Sequence, residues 1–366
     1  VNDAPAGLVR DEPLAPRTTL GVGGAARFFL ELRDVAEARA ALAWAHGAGL
    51  AVVVLGGGSN LLVADRGLDA LVLRVRFAGL EIASAGDHVH VTAGAGEPWD
   101  AFVASCVAAG HAGLECLSGI PGDVGATPIQ NVGAYGQEVA DTVLRVETLR
   151  RDTGELVLWD HAAAQFGYRD SVWKRAAKER FLVTRVTFAL RPGGAPSVRY
   201  AELERALADV AEPSLAAVRA AVITLRRAKS MVLDASDENG RSAGSFFVNP
   251  TLSIDEADAV RVRAALREGE KMPAFPGENG RVKLSAGWLI ERAGFPKGFA
   301  DGRVGLSTRH ALALVNRGGA TATELLTFAR RVRDGVRDRL GVRLVPEPVA
   351  LGFDAAELGD LYDATR

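Results

Sequence analysis

Apolar and polar positions along the chain switch between a helical and a strand period, and the switches mark its elements. Arg27–Leu32 is apolar and aromatic enough for a strand. Asp34 then stands at the cap of a predicted helix whose apolar positions Val35, Ala38, Leu42 and Ala45 recur at three and four, with Gly47 and Gly49 ending it. Ala51–Leu55 is unbroken apolar sequence, which predicts a buried strand. His88–Val91 alternates like a strand, and Pro98 suits the first turn of a helix that stops at Gly110. Val143–Leu149, Glu155–Trp159 and Phe181–Leu190 predict antiparallel strands, closed by a turn at Arg191–Pro196. Pro213 opens a helix with Leu215, Val218, Val222 and Leu225 on one face.

Met231–Gly240, rich in Asp, Ser and Asn, predicts an exposed connector and a domain boundary. Beyond it come a strand at Ser245–Val248, a short helix from Ser253, and a loop holding Pro273 and Pro276. Thr321 and Glu324 have capping-box spacing ahead of a helix whose stripe is Leu325, Phe328, Val332, Val336 and Leu340; Gly341 stops it. Its arginines predict a solvated face. Val342–Val345 and Val349–Phe353 flank Pro346-Glu347-Pro348.

Composition narrows the class. A chain of 366 residues, 48% hydrophobic and 24% charged, predicts two or three globular domains. A net charge of −2 gives no basic field for nucleic acid or an anionic membrane. Val1–Leu20 carries no signal-peptide pattern, and no apolar run approaches the roughly 18 residues of a membrane span. The expectation is a cytoplasmic protein. Cys106 and Cys116 cannot build a disulfide framework, and Cys106 falls on an apolar helix face with Phe102, Val103 and Val107. His88 and His90 share a strand face with no third ligand near in sequence, so no metal site is expected. The departure is glycine: 41 residues, about 11% against an average near 7%.

Much of the excess is clustered. Gly21–Ala26 fits the loose pattern GxGxxA but precedes a strand instead of following one, which argues against a dinucleotide fingerprint. Gly56-Gly57-Gly58-Ser59-Asn60 does follow a strand. Its amides could cradle a phosphate, or the segment could be a tight turn between strands. The stretch Leu117–Gly136 has five glycines, two prolines and few charges, which suits a flat, largely apolar ligand packed on main chain. Arg169 lies among aromatics in Phe166–Ser171. A guanidinium there could fork a carboxylate, although spacing alone favours a surface pair. Ser245 sits between Gly244 and two phenylalanines with no GxSxG elbow, so a proton-donor role fits it better than a hydrolase triad. Glu347 is stiffened by a proline on each side; an exposed turn is the commoner outcome of such a pattern.

The ordered set RTTLGVGG, LGGGSNLLV, SGIPGDVGATPIQNVGAYGQE, FGYRDS, AGSFFVNP, KLSAGWLIERAGF and VPEPV resembles the UDP-N-acetylenolpyruvoylglucosamine reductase family from about Thr18 to Phe353. The resemblance implies an α+β fold of the vanillyl-alcohol-oxidase type, with two subdomains for FAD and a separate α+β substrate domain. On that pattern residues 1–84 and 85–232 are the FAD-binding subdomains, the second joined by 345–366, and 233–344 bind substrate. It also implies that Gly56, Gly57, Gly58, Ser59 and Asn60 wrap the FAD pyrophosphate. Ser118, Gly119, Ile120, Pro121, Gly122, Gly125, Asn131, Gly133, Ala134, Tyr135 and Gly136 would line the cofactor. No His or Cys lies in the first loop, so the FAD is expected to be non-covalent. Arg169, Ser245 and Glu347 match the family's catalytic positions. Tyr200 matches the substrate-closing tyrosine of one subgroup, and Lys229, Asn249 and Lys283 match substrate contacts. The implied reaction uses NADPH and a UDP-sugar in cell-wall precursor synthesis, and hence in cell shape and division, with no partner protein. A sugar or alcohol oxidase of the same fold is the alternative. Met231–Arg241 and Lys271–Gly280 depart from the family pattern in length or composition.

Overall fold

The computed structural model describes residues 4–363. The chain divides into two compact units. The described residues of Val1–Glu12, Ala26–Gly58 and Asp69–Leu233 form the first; those of Pro13–Ala25, Ser59–Leu68 and Asp234–Arg366 form the second.

The first unit is built on two sheets. One has the strand order Val9–Pro13, Ala25–Leu32, Leu68–Val75, Ala51–Leu55. The Asp34 carboxylate accepts from Glu37 N and caps the helix Val35–Gly47, which buries Ala38, Ala41, Leu42 and Ala45. Ala51–Leu55 pairs parallel with Leu68–Val75 but lies at the sheet edge, so only Leu55 is fully buried. Its expected complete burial is corrected: an edge strand needs only one covered face. The second sheet runs Leu156–Asp160, Val143–Arg150, Phe181–Pro192, His88–Gly94, Leu80–Ala85, all antiparallel, with His111–Ala112 on the end of Phe181–Pro192. Trp99, Phe102 and Phe188 pack with centroids 5.1–5.9 Å apart between this sheet and the helix Trp99–Ala108. The helix Leu215–Ala228, capped by Ser214, buries Val218 and Val222 with Cys116, Leu203 and Leu207.

The second unit centres on the helix Ala322–Leu340. Thr321 and Glu324 exchange both capping-box bonds, and Gly341 closes the helix at φ +72°. Its stripe Leu325, Phe328, Val332 and Val336 is buried with Leu20, Leu62, Phe246, Phe247, Leu289 and Leu361. The described residues of 345–366 fall in this unit, with Leu361 fully buried in its core. Two local expectations change. Ala274–Pro276 forms a short strand against Val282–Leu284 within the expected proline loop. Ser245–Val248 forms no ladder strand, only an isolated bridge from Phe247 to Pro346. Among the described residues no helix is long and apolar enough to cross a membrane.

Candidate active site

The two glycine clusters meet within the first unit. A Cβ on Gly57 would lie 2.5 Å from the Gly122 Cα, so main chain passes main chain there and only glycine fits. Gly58 and Gly122 hold φ at +68° and +123°. The longer loop is anchored from beneath. Gly119 N donates to Asp100 Oδ1 at 2.6 Å, Trp99 Nε1 to Leu117 O at 3.0 Å, and Gly125 N to Ala95 O at 2.9 Å. Arg74 and Asp123 form a buried ion pair at 3.0 Å; burial raises the Asp123 pKa more than Arg74 lowers it. Ser118 and Gly125 face inward, whereas Ile120, Pro121, Gly122, Gly133, Ala134 and Tyr135 stay half-exposed. This is a glycine-floored cradle with the accessible rim a flat cofactor needs.

Asn131 supports this loop from within. It is 1% exposed at φ +43°, donates through Nδ2 to Glu138 Oε2 and Gly167 O, and accepts from Ala140 N. Its side chain is thus engaged by the protein. Arg169 occupies a two-residue turn closed by reciprocal bonds between Gly167 and Asp170, at φ +54°. Its Nη1 donates to Asn131 O at 3.2 Å and its Nη2 to Gly133 O at 2.6 Å. These bonds fix the plane of the guanidinium against the glycine loop.

Tyr200 and Lys229 join the same unit's rim. The Tyr200 and Tyr135 rings meet edge to face at 5.6 Å and 90°. Lys229 Nζ lies 5.6 Å from the Tyr135 ring centroid and pairs with Glu202. Burial pushes the Tyr135 phenol up to about 12 and raises that of Tyr200.

In the second unit, Glu347 N donates to Phe246 O at 2.8 Å and Val248 N to Val345 O at 3.0 Å. Ser245 and Glu347 therefore sit at one end of a short paired stretch, both half-buried, above the fully buried Phe246 and Phe247. Asn60 belongs to this unit: its Nδ2 donates to Glu347 O at 3.3 Å, and Val349 N donates to Asn60 O at 2.9 Å. Ser59 O accepts from Thr19 Oγ1 at 3.2 Å. Asn249 Oδ1 accepts from Ala286 N, helping Ser285 cap the helix Ala286–Arg292. Lys283 lies on the strand Val282–Leu284 opposite Thr251 and Phe275. The expected exposed connector is pinned at its end, where Asn239, 3% exposed, exchanges bonds with Thr308.

Sequence reasoning missed the supports Asp100, Asp123, Glu115 and Arg226. Glu115, 1% exposed, accepts from Gly113 N, Gln137 Nε2 and Ser197 N. The partners of these groups lie up to 119 positions away, so spacing carried no signal.

Residues 26–159 match the model of an FAD binding domain and include both glycine loops. Residues 235–351 match that of the UDP-N-acetylenolpyruvoylglucosamine reductase C-terminal domain and include Ser245, Asn249, Lys283 and Glu347. The chain is 48% identical over 351 residues to the UDP-N-acetylenolpyruvoylglucosamine reductase of Thermobifida fusca, covering 94% of this chain and 98% of that one. The chain belongs to the UDP-N-acetylenolpyruvoylglucosamine reductase family. A reductase of this family from Nocardia farcinica is 51% identical over 346 residues, 93% of this chain and 88% of that relative. The crystal structure of the Thermus caldophilus reductase superposes with a TM-score of 0.62 at 27% identity, covering 94% of this chain and 98% of that one. The fold of this reductase family member is α+β, with an FAD-binding part and a distinct C-terminal domain.

Proposed function

We propose that this chain is an NADPH-dependent flavoenzyme that reduces the enolpyruvyl ether of UDP-N-acetylglucosamine enolpyruvate to UDP-N-acetylmuramate. The setting is cytoplasmic peptidoglycan-precursor synthesis, with cell shape and division depending on the product. The observation that carries this reading is the pairing of 246–248 with 345–347. It sets a hydroxyl and a carboxylate on one stiff, half-dry support, in a family of reductases.

The glycine cradle fits a dinucleotide flavin: the Gly57–Gly122 approach leaves main-chain amides and no side-chain bulk. Loops Gly56–Asn60 and Ser118–Gly136 would hold FAD non-covalently, since the first offers no His or Cys. When bound, FAD supplies the hydride for the terminal methylene carbon of the substrate.

The protein's share is charge and protons. Arg169, its guanidinium plane fixed by Asn131 O and Gly133 O, orients the substrate carboxylate. Glu347, on its proline-bounded support, helps hold the charge that builds beside that carboxylate. Ser245 Oγ gives its proton to the adjacent carbon. Tyr200 closes over the substrate, Lys229 meets its diphosphate, and Asn249 and Lys283 make further substrate contacts. Residues 1–84 and 85–232, the latter joined by 345–366, are assigned to FAD and residues 233–344 to substrate.

The test is anaerobic. Purified protein is yellow, bleaches with NADPH, and regains its colour with UDP-N-acetylglucosamine enolpyruvate. Failure of that substrate to reoxidise the flavin overturns the assignment, as does oxygen uptake with a carbohydrate and no NADPH.

A further inference from the structure

Arg226 is a buried cation in the first unit that the proposed chemistry leaves unused. It stands in the last turn of the helix Leu215–Ala228 and is 9% exposed. Its Nη2 donates to Met231 O at 2.7 Å and closes the helix end. Its Nε is buried without a hydrogen-bond partner, and among the described residues Arg226 has no ion pair. Asp100, an acid whose field reaches it, is already taken by Arg219 at 2.6 and 2.9 Å and by Gly119 N at 2.6 Å. Ser230, just past the same helix end, is 4% exposed at φ +56°, and its Oγ also lacks a partner.

The groups beside Arg226 give this a direction. A Cβ on Gly119 would lie 2.7 Å from Ile223 Cδ1 and 3.5 Å from Arg226 Cδ, so the loop packs on the helix beside the arginine stem, with the close approach at Ile223. Tyr135 and Arg226 act on each other electrostatically: the cation draws the phenol down against burial. Gly119 and Tyr135 both belong to the loop assigned to the flavin. Burial brings the guanidinium down to about 10, so it keeps its charge at neutral pH. A buried charge without a partner is costly unless an opposite charge arrives to meet it.

We propose that Arg226 is an electrostatic positioning residue for the flavin, presenting positive charge to the cofactor in its reduced state. The proposal rests on the reading of Ser118–Gly136 as the flavin loop. Hydride transfer moves one proton and two electrons from NADPH to the flavin and leaves NADP+. The flavin thereby gains one negative charge, and Arg226 itself gives up no proton. A fixed cation nearby favours that state and raises the reduction potential.

The experiment measures the midpoint potential of bound FAD, its dissociation constant and thermal melting in the wild type, Arg226→Gln and Arg226→Lys. Arg226→Gln is expected to disfavour reduction at least tenfold, about 30 mV for a two-electron couple, while FAD stays bound. Arg226→Lys is expected to recover most of that shift. An unchanged potential in flavin-loaded Arg226→Gln overturns the proposal; so does weakened FAD binding with no shift. Should Arg226→Gln not fold, Asp100→Asn decides: removal of a negative charge beside Arg226 raises the potential, and no rise overturns the proposal. Wild-type protein that binds no flavin sinks the proposed function itself, a result distinct from a flavin whose potential ignores residue 226.

Discussion

Asn60 and Glu347, 287 positions apart, are joined by the Asn60 side-chain amide donating to the Glu347 main-chain oxygen. Val349 N completes the attachment by donating to Asn60 O. Asn60 thus braces the chain on both sides of Pro348. Asn60→Ala is expected to cost about 1 kcal/mol, the usual net worth of such a bond, seen as a lower denaturant midpoint. Because Asn60 also belongs to the loop assigned to FAD, the variant should bind FAD more weakly, and in the flavin-loaded variant reoxidation by the enolpyruvyl substrate should slow. Unchanged reoxidation at full FAD occupancy would show that the brace does not position Glu347.

Ser245→Ala separates the half-reactions. Flavin reduction by NADPH is expected to survive, and substrate reduction to fall by orders of magnitude in stopped-flow absorbance. Equal losses in both would count against a proton-donor role.

Gly57→Ala tests the cradle. The new Cβ meets Gly122 main chain at 2.5 Å, so one loop must move. A destabilisation of about 1–3 kcal/mol is expected, with a lower flavin-to-protein absorbance ratio in the purified variant. Unchanged flavin content would show that the two loops need not touch to hold the cofactor.

Arg74→Met removes one partner of the buried Arg74–Asp123 pair, whose side chains are 11% and 7% exposed. Stranding the carboxylate is expected to cost about 3–5 kcal/mol in denaturant unfolding. The doubly neutral Arg74→Met/Asp123→Leu variant should regain much of that loss.

Burial pushes the thiols of Cys106 and Cys116 from 9.0 up to about 12. The folded state therefore holds these protons more tightly than the unfolded chain. Their contribution to stability is complete below about pH 9 and is lost as pH rises toward 12. Melting temperature should fall across that alkaline window, and a thiol reagent at pH 7 should label neither cysteine until the protein unfolds.

The periodic elements were legible because their signals are local. Asp34, Thr321 and Glu324 name their helix ends, and the alternation in His88–Val91 names a strand. Ala51–Leu55 misled because an apolar run reports propensity and not position in a sheet. The glycine loops were legible as unusual main chain, since only glycine survives the Gly57–Gly122 approach. The site's supports were not. Nothing near Asp100 or Arg226 in sequence announces Arg219 or Tyr135, because ion pairs and buried charges are set by tertiary proximity alone.

The second unit is gathered from three separate stretches, and this orders events during synthesis. Leu20, Val22 and Leu62 leave the ribosome early, yet they are buried with partners from Phe246 to Leu361. At about 5–20 residues per second they wait tens of seconds as exposed apolar side chains before the last third of the chain emerges. A stalled or C-terminally shortened product is therefore left with these side chains uncovered, a ready target for chaperones and proteases.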